Sequence, residues 1–177
     1  MGGPARRGFD MTTVHEARTR KLLELTRAEK EFEIKADADA VIAFLTVPEF
    51  VAKLLPFVEA IDERGHWIMI DHHAKVTHTK TLAPTLTVES GGVVEWVGKG
   101  EGLTSTMRFD VSPVDKTSRV KAALRMEVVE TPGSVLSPIL SLNIRDQLDA
   151  VARSLAEEFK DSGCYANECS RCPMCGM

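Results

Sequence analysis

Leu140-Ser-Leu-Asn-Ile-Arg-Asp-Gln-Leu-Asp-Ala-Val-Ala-Arg-Ser-Leu-Ala-Glu-Glu-Phe159 is the most strongly patterned stretch of the chain. Leu140, Ile144, Leu148, Val151, Leu155 and Phe159 recur at three- and four-residue spacings, opposite Arg145, Asp149, Arg153 and Glu157, which predicts a long amphipathic helix with one buried face. Ser137-Pro138 offers a cap and a first-turn proline, and Pro132-Gly133 separates the helix from what precedes it. Such a helix needs an apolar surface to lie on.

The preceding residues describe that surface. From Val58 to Val129 the hydrophobic period is two, interrupted by turn residues at Arg64-Gly65, Ser90-Gly91-Gly92, Gly98 to Gly102 and Ser112 to Lys116. The pattern predicts strands over Val58–Glu63, Trp67–Val76, Thr79–Val88, Val93–Val97, Leu103–Val111 and Ser118–Val129, an antiparallel meander. Further back, Phe32, Ile34 and Ala36 alternate with charged residues as a first strand. Asp37 or Asp39 then opens a short helix through Val41, Ile42, Phe44 and Leu45, and Pro48 opens a second that Pro56 ends. Val14, Ala17, Leu22, Leu25 and Ala28 suggest a further amphipathic helix over Thr12–Lys30, behind a Gly-, Pro- and Arg-rich start whose Met11 is an alternative first residue.

The order predicts an α+β helix-grip fold: a curved seven-stranded antiparallel sheet around a long C-terminal helix, with two short helices between the first and second strands. Three segments follow: an N-terminal extension over 1–30, a ligand-binding domain over 31–160 and a cysteine-rich tail over 161–177. A curved sheet cannot close on a helix everywhere, so an apolar cavity is expected between them. Met107, Phe109, Leu124, Met126 and Val128 on adjacent strands, with Leu148, Val151 and Leu155 on the helix, are its candidate walls; the same residues are equally expected simply as core.

Val47-Pro-Glu-Phe-Val-Ala-Lys-Leu-Leu-Pro-Phe-Val-Glu-Ala-Ile61, Gly98-Lys-Gly-Glu-Gly-Leu-Thr-Ser-Thr-Met-Arg-Phe109 and Leu148-Asp-Ala-Val-Ala-Arg-Ser-Leu-Ala-Glu-Glu-Phe159 resemble the START-like (SRPBCC) superfamily, and within it the G-subunit family of carbon monoxide dehydrogenase. The resemblance covers Glu31 to Lys160 and is mostly architectural. It implies a non-enzymatic carrier of a lipid or quinone-like molecule, acting as an accessory or maturation factor of a molybdenum hydroxylase. Members usually carry a Gly-Pro where this chain has Ala74-Lys-Val-Thr-His-Thr-Lys80, and some end in an apolar membrane-associating extension where this chain has cysteines.

Two polar constellations stand out. If the alternation runs on through Val76, His72 and His78 share a strand face with Ile68 and Ile70, where they would hydrogen-bond a ligand oxygen; the plainer alternative is a satisfied or solvent-facing histidine. A cyclase or hydrolase of the same fold would use them as acid or base. In the tail, Cys164, Cys169, Cys172 and Cys175 have the spacing of soft-metal ligands, and Cys172-Pro-Met-Cys175-Gly176 resembles half of a zinc knuckle. The consecutive C-x-x-C-x-x-C also suits an iron–sulfur cluster, and redox exchange or an unstructured tail are the other readings. A metal-dependent interaction or redox module acting through the tail is therefore a third functional hypothesis.

Composition narrows the remaining classes. Of 177 residues 44% are apolar and 27% charged, as in one soluble domain, and the net charge of −4 gives no electrostatic reason to expect nucleic acid. No stretch approaches the roughly 18 apolar residues of a membrane span, which leaves peripheral membrane contact, and the absence of cysteine from the body fits the cytoplasm. Gly98-Lys-Gly-Glu-Gly102 fails as a phosphate loop because a strand, not a helix, follows it. No G-x-S-x-G or H-E-x-x-H motif occurs.

Overall fold

Every second residue from Leu103 to Val111 is buried, and the residues between them are half-exposed. That strand lies inside the sheet, paired on both sides. The computed structural model describes residues 27–73, 76–100, 102–128 and 143–160, with the backbone alone for 70–73, 76–78 and 128. Its strands are β1 (Arg27–Ile34), β2 (Ala60–Ile61), β3 (Trp67–His73), β4 (Val76–Glu89), β5 (Val93–Gly100), β6 (Leu103–Val114) and β7 (Thr117–Val128). They form one seven-stranded sheet in the order β1-β7-β6-β5-β4-β3-β2, with every neighbouring pair antiparallel. Helices α1 (Ala38–Leu45) and α2 (Pro48–Leu54) lie between β1 and β2, and α3 (Ile144–Glu158) follows β7. This is the α+β architecture expected from the sequence.

α3 packs on β1 and β7 and also meets α2. Its buried residues are Ile144, Leu148, Val151, Ala152 and Leu155, the apolar stripe predicted for it. Phe159 closes the far end, edge-on to Phe44 of α1 at 5.5 Å, and Phe44 in turn stacks on Phe50 of α2 at 4.8 Å. The first short helix is tied to the sheet by polar bonds at both ends. Trp96 Nε1 donates to the Leu45 carbonyl at 2.8 Å in a buried position, and Ser118 Oγ donates to the Ala36 carbonyl at 2.6 Å. No described helix is long and apolar enough to cross a membrane.

The structure corrects several boundaries. β1 begins at Arg27, inside the segment expected to be helical, because residues 27–30 pair with 122–125 of β7 and bury Ala28; the rest of the Thr12–Lys30 expectation lies outside the described residues. The strand expected over Val58–Glu63 shrinks to Ala60–Ile61, since Asp62 turns the chain by accepting the Arg64 and His66 amides at 2.8 and 2.9 Å. Gly98 and Gly100, expected in a turn, extend β5 and pair with Ser105 and Leu103 of β6. α3 starts at Ile144, not at Pro138. Asn143 Oδ1 caps it by accepting from the Arg145 and Asp146 amides, and Ser137, Pro138 and Leu140 lie outside the described residues.

The largest correction concerns the β3–β4 hairpin. The chain reverses between His73 and Val76, not beyond Val76, so Asp71 pairs with His78 and His72 with Thr77. Consecutive rungs of a ladder alternate between its faces, so His72 and His78 occupy positions of opposite parity rather than one shared face. The register follows from packing. Trp67 sits opposite Leu82 with both side chains fully buried, and a slip of one residue would turn both to solvent.

Trp96→Phe is expected to lower stability by about 1–3 kcal/mol in urea unfolding, because it orphans the buried Leu45 carbonyl. Asn143→Ala, which removes an exposed cap, is expected to cost about 1 kcal/mol by the same measurement.

Candidate ligand-binding groove

The concave face of the sheet and the inner side of α3 meet in one apolar wall. Met107 and Phe109 of β6, Leu124 and Met126 of β7, and Leu148, Val151 and Leu155 of α3 are each at most 1% exposed and belong to one contiguous cluster. The structure thus brings together seven of the eight wall residues singled out from the sequence; the side chain of the eighth, Val128, lies outside the described ones. The register explains why: Met107 pairs with Leu124, Phe109 with Ala122 and Ser105 with Met126, so the β6 and β7 residues share the face that α3 covers.

Ile70, His72 and His78 lie apart from that wall, on β3 and β4, where their backbone alone is described. The buried side chains of β3 are Trp67 and Met69, whereas Ile68 is half-buried, so the inward parity is the reverse of the one expected from Ile68 and Ile70. Cys164, Cys169, Cys172 and Cys175 lie outside the described residues. Among the described residues, no group of three or more His, Cys, Asp or Glu side chains could hold a metal ion.

The wall carries polar atoms that were not singled out from the sequence. Trp67 Nε1, Ser105 Oγ and Gln147 Oε1 are buried and have no hydrogen-bond partner among the described residues. A buried donor or acceptor left unpaired costs about 1–3 kcal/mol, so three of them are a large fraction of the stability of a small domain. Native proteins seldom retain such groups without a water or ligand to meet them. Two of the three were legible. Ser105 is a polar residue at an apolar position of the Leu103, Met107, Phe109 alternation, and Gln147 falls within the helical stripe between Ile144 and Val151.

Two glycines shape the same end of the wall. A Cβ on Gly98 would stand 3.3 Å from Trp67 Cε3 and from Leu82, and one on Gly100 would stand 2.4 Å from the Thr81 carbonyl oxygen and 2.7 Å from Leu82 Cδ2. Their bare backbones admit the Trp67 indole onto β5, 5.8 Å between ring centroids from Trp96. At the surface, a cleft of about 450 Å³ opens between Arg27–Lys30 of β1 and Arg145, Leu148 and Asp149 of α3. Lys30 Nζ bridges it to Asp149 Oδ1 at 2.5 Å. That ammonium hydrogen bond holds the Asp149 carboxyl below the ordinary aspartate range, against a smaller opposing effect of desolvation.

No protein-family profile matches the sequence, and no curated protein is significantly similar to it. Solved structures do share its architecture. A START superfamily protein from Mycobacterium smegmatis superposes with a TM-score of 0.53 at 15% identity, over 76% of this chain and 97% of that one. A protein from Thermus thermophilus gives 0.52 at 15%, over 77% and 99%. The ZhuI aromatase/cyclase from a Streptomyces species gives 0.51 at 16%, over 77% and 97%. At such identities the likeness is one of fold alone.

Gly100→Ala is expected to destabilise the protein by about 1–3 kcal/mol in urea unfolding, since the new methyl meets backbone that has to shift. The Lys30–Asp149 pair makes stability depend on pH. Asp149 titrates below its unfolded value, so the contribution is present above the ordinary aspartate pKa, roughly 4, and is lost as pH falls through the depressed value. The stability difference between wild type and Lys30→Met should therefore be measurable at neutral pH and vanish in acid; a gap unchanged down to full protonation would contradict it.

Proposed function

We propose that this chain is a non-enzymatic carrier that encloses a hydrophobic small molecule between the concave sheet face and α3. The observation that carries this reading is the combination of a continuous apolar wall with unpartnered polar atoms buried in it, because small-molecule sites are mostly apolar with a few polar groups that fix orientation. A lipid or quinone-like ligand fits such a wall. The resemblance of Val47–Ile61, Gly98–Phe109 and Leu148–Phe159 to the G-subunit family of carbon monoxide dehydrogenase supports delivery of that ligand to molybdenum hydroxylase subunits, or their maturation. Neighbouring genes encoding such subunits would favour that role over a general carrier.

The START fold also supports enzymes, as the aromatase/cyclase shows for its own case. A cyclase or hydrolase built on this chain would draw on the His72 region as acid or base, and substituting His72 and His78 would abolish turnover while leaving ligand affinity nearly intact. The tail supports a separate contribution. Cys164, Cys169, Cys172 and Cys175 have the donor chemistry for zinc or an iron–sulfur cluster, which would recruit a partner or tune the end of α3 rather than line the groove.

Native mass spectrometry of protein purified from its own source is expected to show an apolar molecule bound in stoichiometric amount. A ligand-free chain whose interior also refuses hydrophobic probes would overturn the carrier reading. Elemental analysis of the full chain beside a version ending at Lys160 tests the tail: bound metal should be lost on truncation, and equal metal content in both would dispose of that role.

A further inference from the structure

Phe50 of α2 is 40% exposed, one of two large apolar side chains left on the surface among the described residues. A single exposed phenylalanine is ordinary. This one is the outer member of a row: its ring stacks on Phe44 at 4.8 Å, and Phe44 meets Phe159 edge-on at 5.5 Å. Phe159 is the C-cap of α3, and only Lys160 stands between it and the cysteine-rich tail over 161–177. The tail therefore leaves the domain beside the aromatic row. Cys164 follows Phe159 by five residues, enough chain to span roughly 16 Å when extended, which exceeds the two ring steps together.

The charge beside the row points the same way. Lys53 lies one turn after Phe50 on α2, so the two side chains are neighbours on that helix, and it has no ion pair among the described residues. Four cysteine thiols that take up one zinc ion release their protons, and the thiolate charge outweighs that of the metal, so the resulting knot is anionic and rich in sulfur. An aromatic face next to an unpaired ammonium complements both properties. Resting on the zinc reading of Cys164, Cys169, Cys172 and Cys175 above, we propose that the tail, once it holds zinc, docks in its own chain on Phe50 and Lys53. Docking would clip α2 to the C-terminal end of α3, two helices that already touch. Metal affinity and the stability of the domain are then linked, and each loses what the other loses when the docking surface is removed.

The test uses the full chain, reduced and metal-free, titrated with zinc against a chromophoric chelator, with urea unfolding followed in the presence and absence of the metal. Zinc is expected to raise the urea midpoint of wild type. Phe50→Ser should weaken zinc about fivefold and Lys53→Glu about threefold, the latter more strongly at low salt, and both should shrink the zinc-induced midpoint shift. Lys99→Glu, the same charge change at an exposed position of β5, should alter neither reading. With cobalt in place of zinc, paramagnetic shifts should reach the Phe50 and Lys53 amides. Wild-type zinc affinity in both α2 variants, with no paramagnetic shift on α2, would overturn the docking and leave the zinc reading standing. A zinc affinity that rises with protein concentration would overturn docking within one chain and give the surface to the tail of a second copy. Failure of the full chain to take up zinc would overturn both the docking and the reading it rests on.

Discussion

The inner face of β5, β6 and β7 is lined by Val94, Trp96, Met107, Phe109, Leu124 and Met126, and it can be kept from water only if something lies over it. α3 supplies the cover along β1 and β7, and α1 and α2 close the side that α3 does not reach. Burial of this kind favours folding by about 25 cal/mol for each Å² of apolar surface removed from water. It also constrains every other part of the molecule. The registers of all the strands must deliver their apolar residues to the same face, because a slip of one position in any of them would present that strand's core to solvent.

How far this was legible in the sequence depends on how the signal is encoded. The α3 stripe and the alternation of β6 and β7 are periodic, dense and continuous, so their buried faces could be read directly, and all seven apolar wall residues follow from them. The ends of elements are encoded by competing local chemistries. Asn143 caps the start of α3 because its side chain reaches two free amides. Gly98 and Gly100 looked like turn residues, yet glycine also serves in a strand where another group must approach closely, as Trp67 and Leu82 do here.

The β3–β4 hairpin was harder for a different reason. Trp67-Ile-Met-Ile70 is apolar at every position, so alternation alone cannot say which pair faces inward. The choice is made across strands and out of sequence range: Leu82 from the next strand and Gly98 from the one beyond provide the space for Trp67. The two tryptophans, alike in sequence, end in unlike situations. Trp96 finds the carbonyl at the end of α1, and Trp67 finds none among the described residues.

The sheet terminates in two different ways. On one side β1 alternates Glu29, Glu31 and Glu33 along its exposed positions, where Lys121 and Arg119 of β7 pair with the first two. On the other side β2 is two residues long. A charged border and a very short one are both poor templates for hydrogen bonding with another chain. A protein whose inner face is this apolar would be prone to amyloid-like stacking if its borders were flat and sticky, so the outermost strands of the sheet also keep one molecule from growing onto the next.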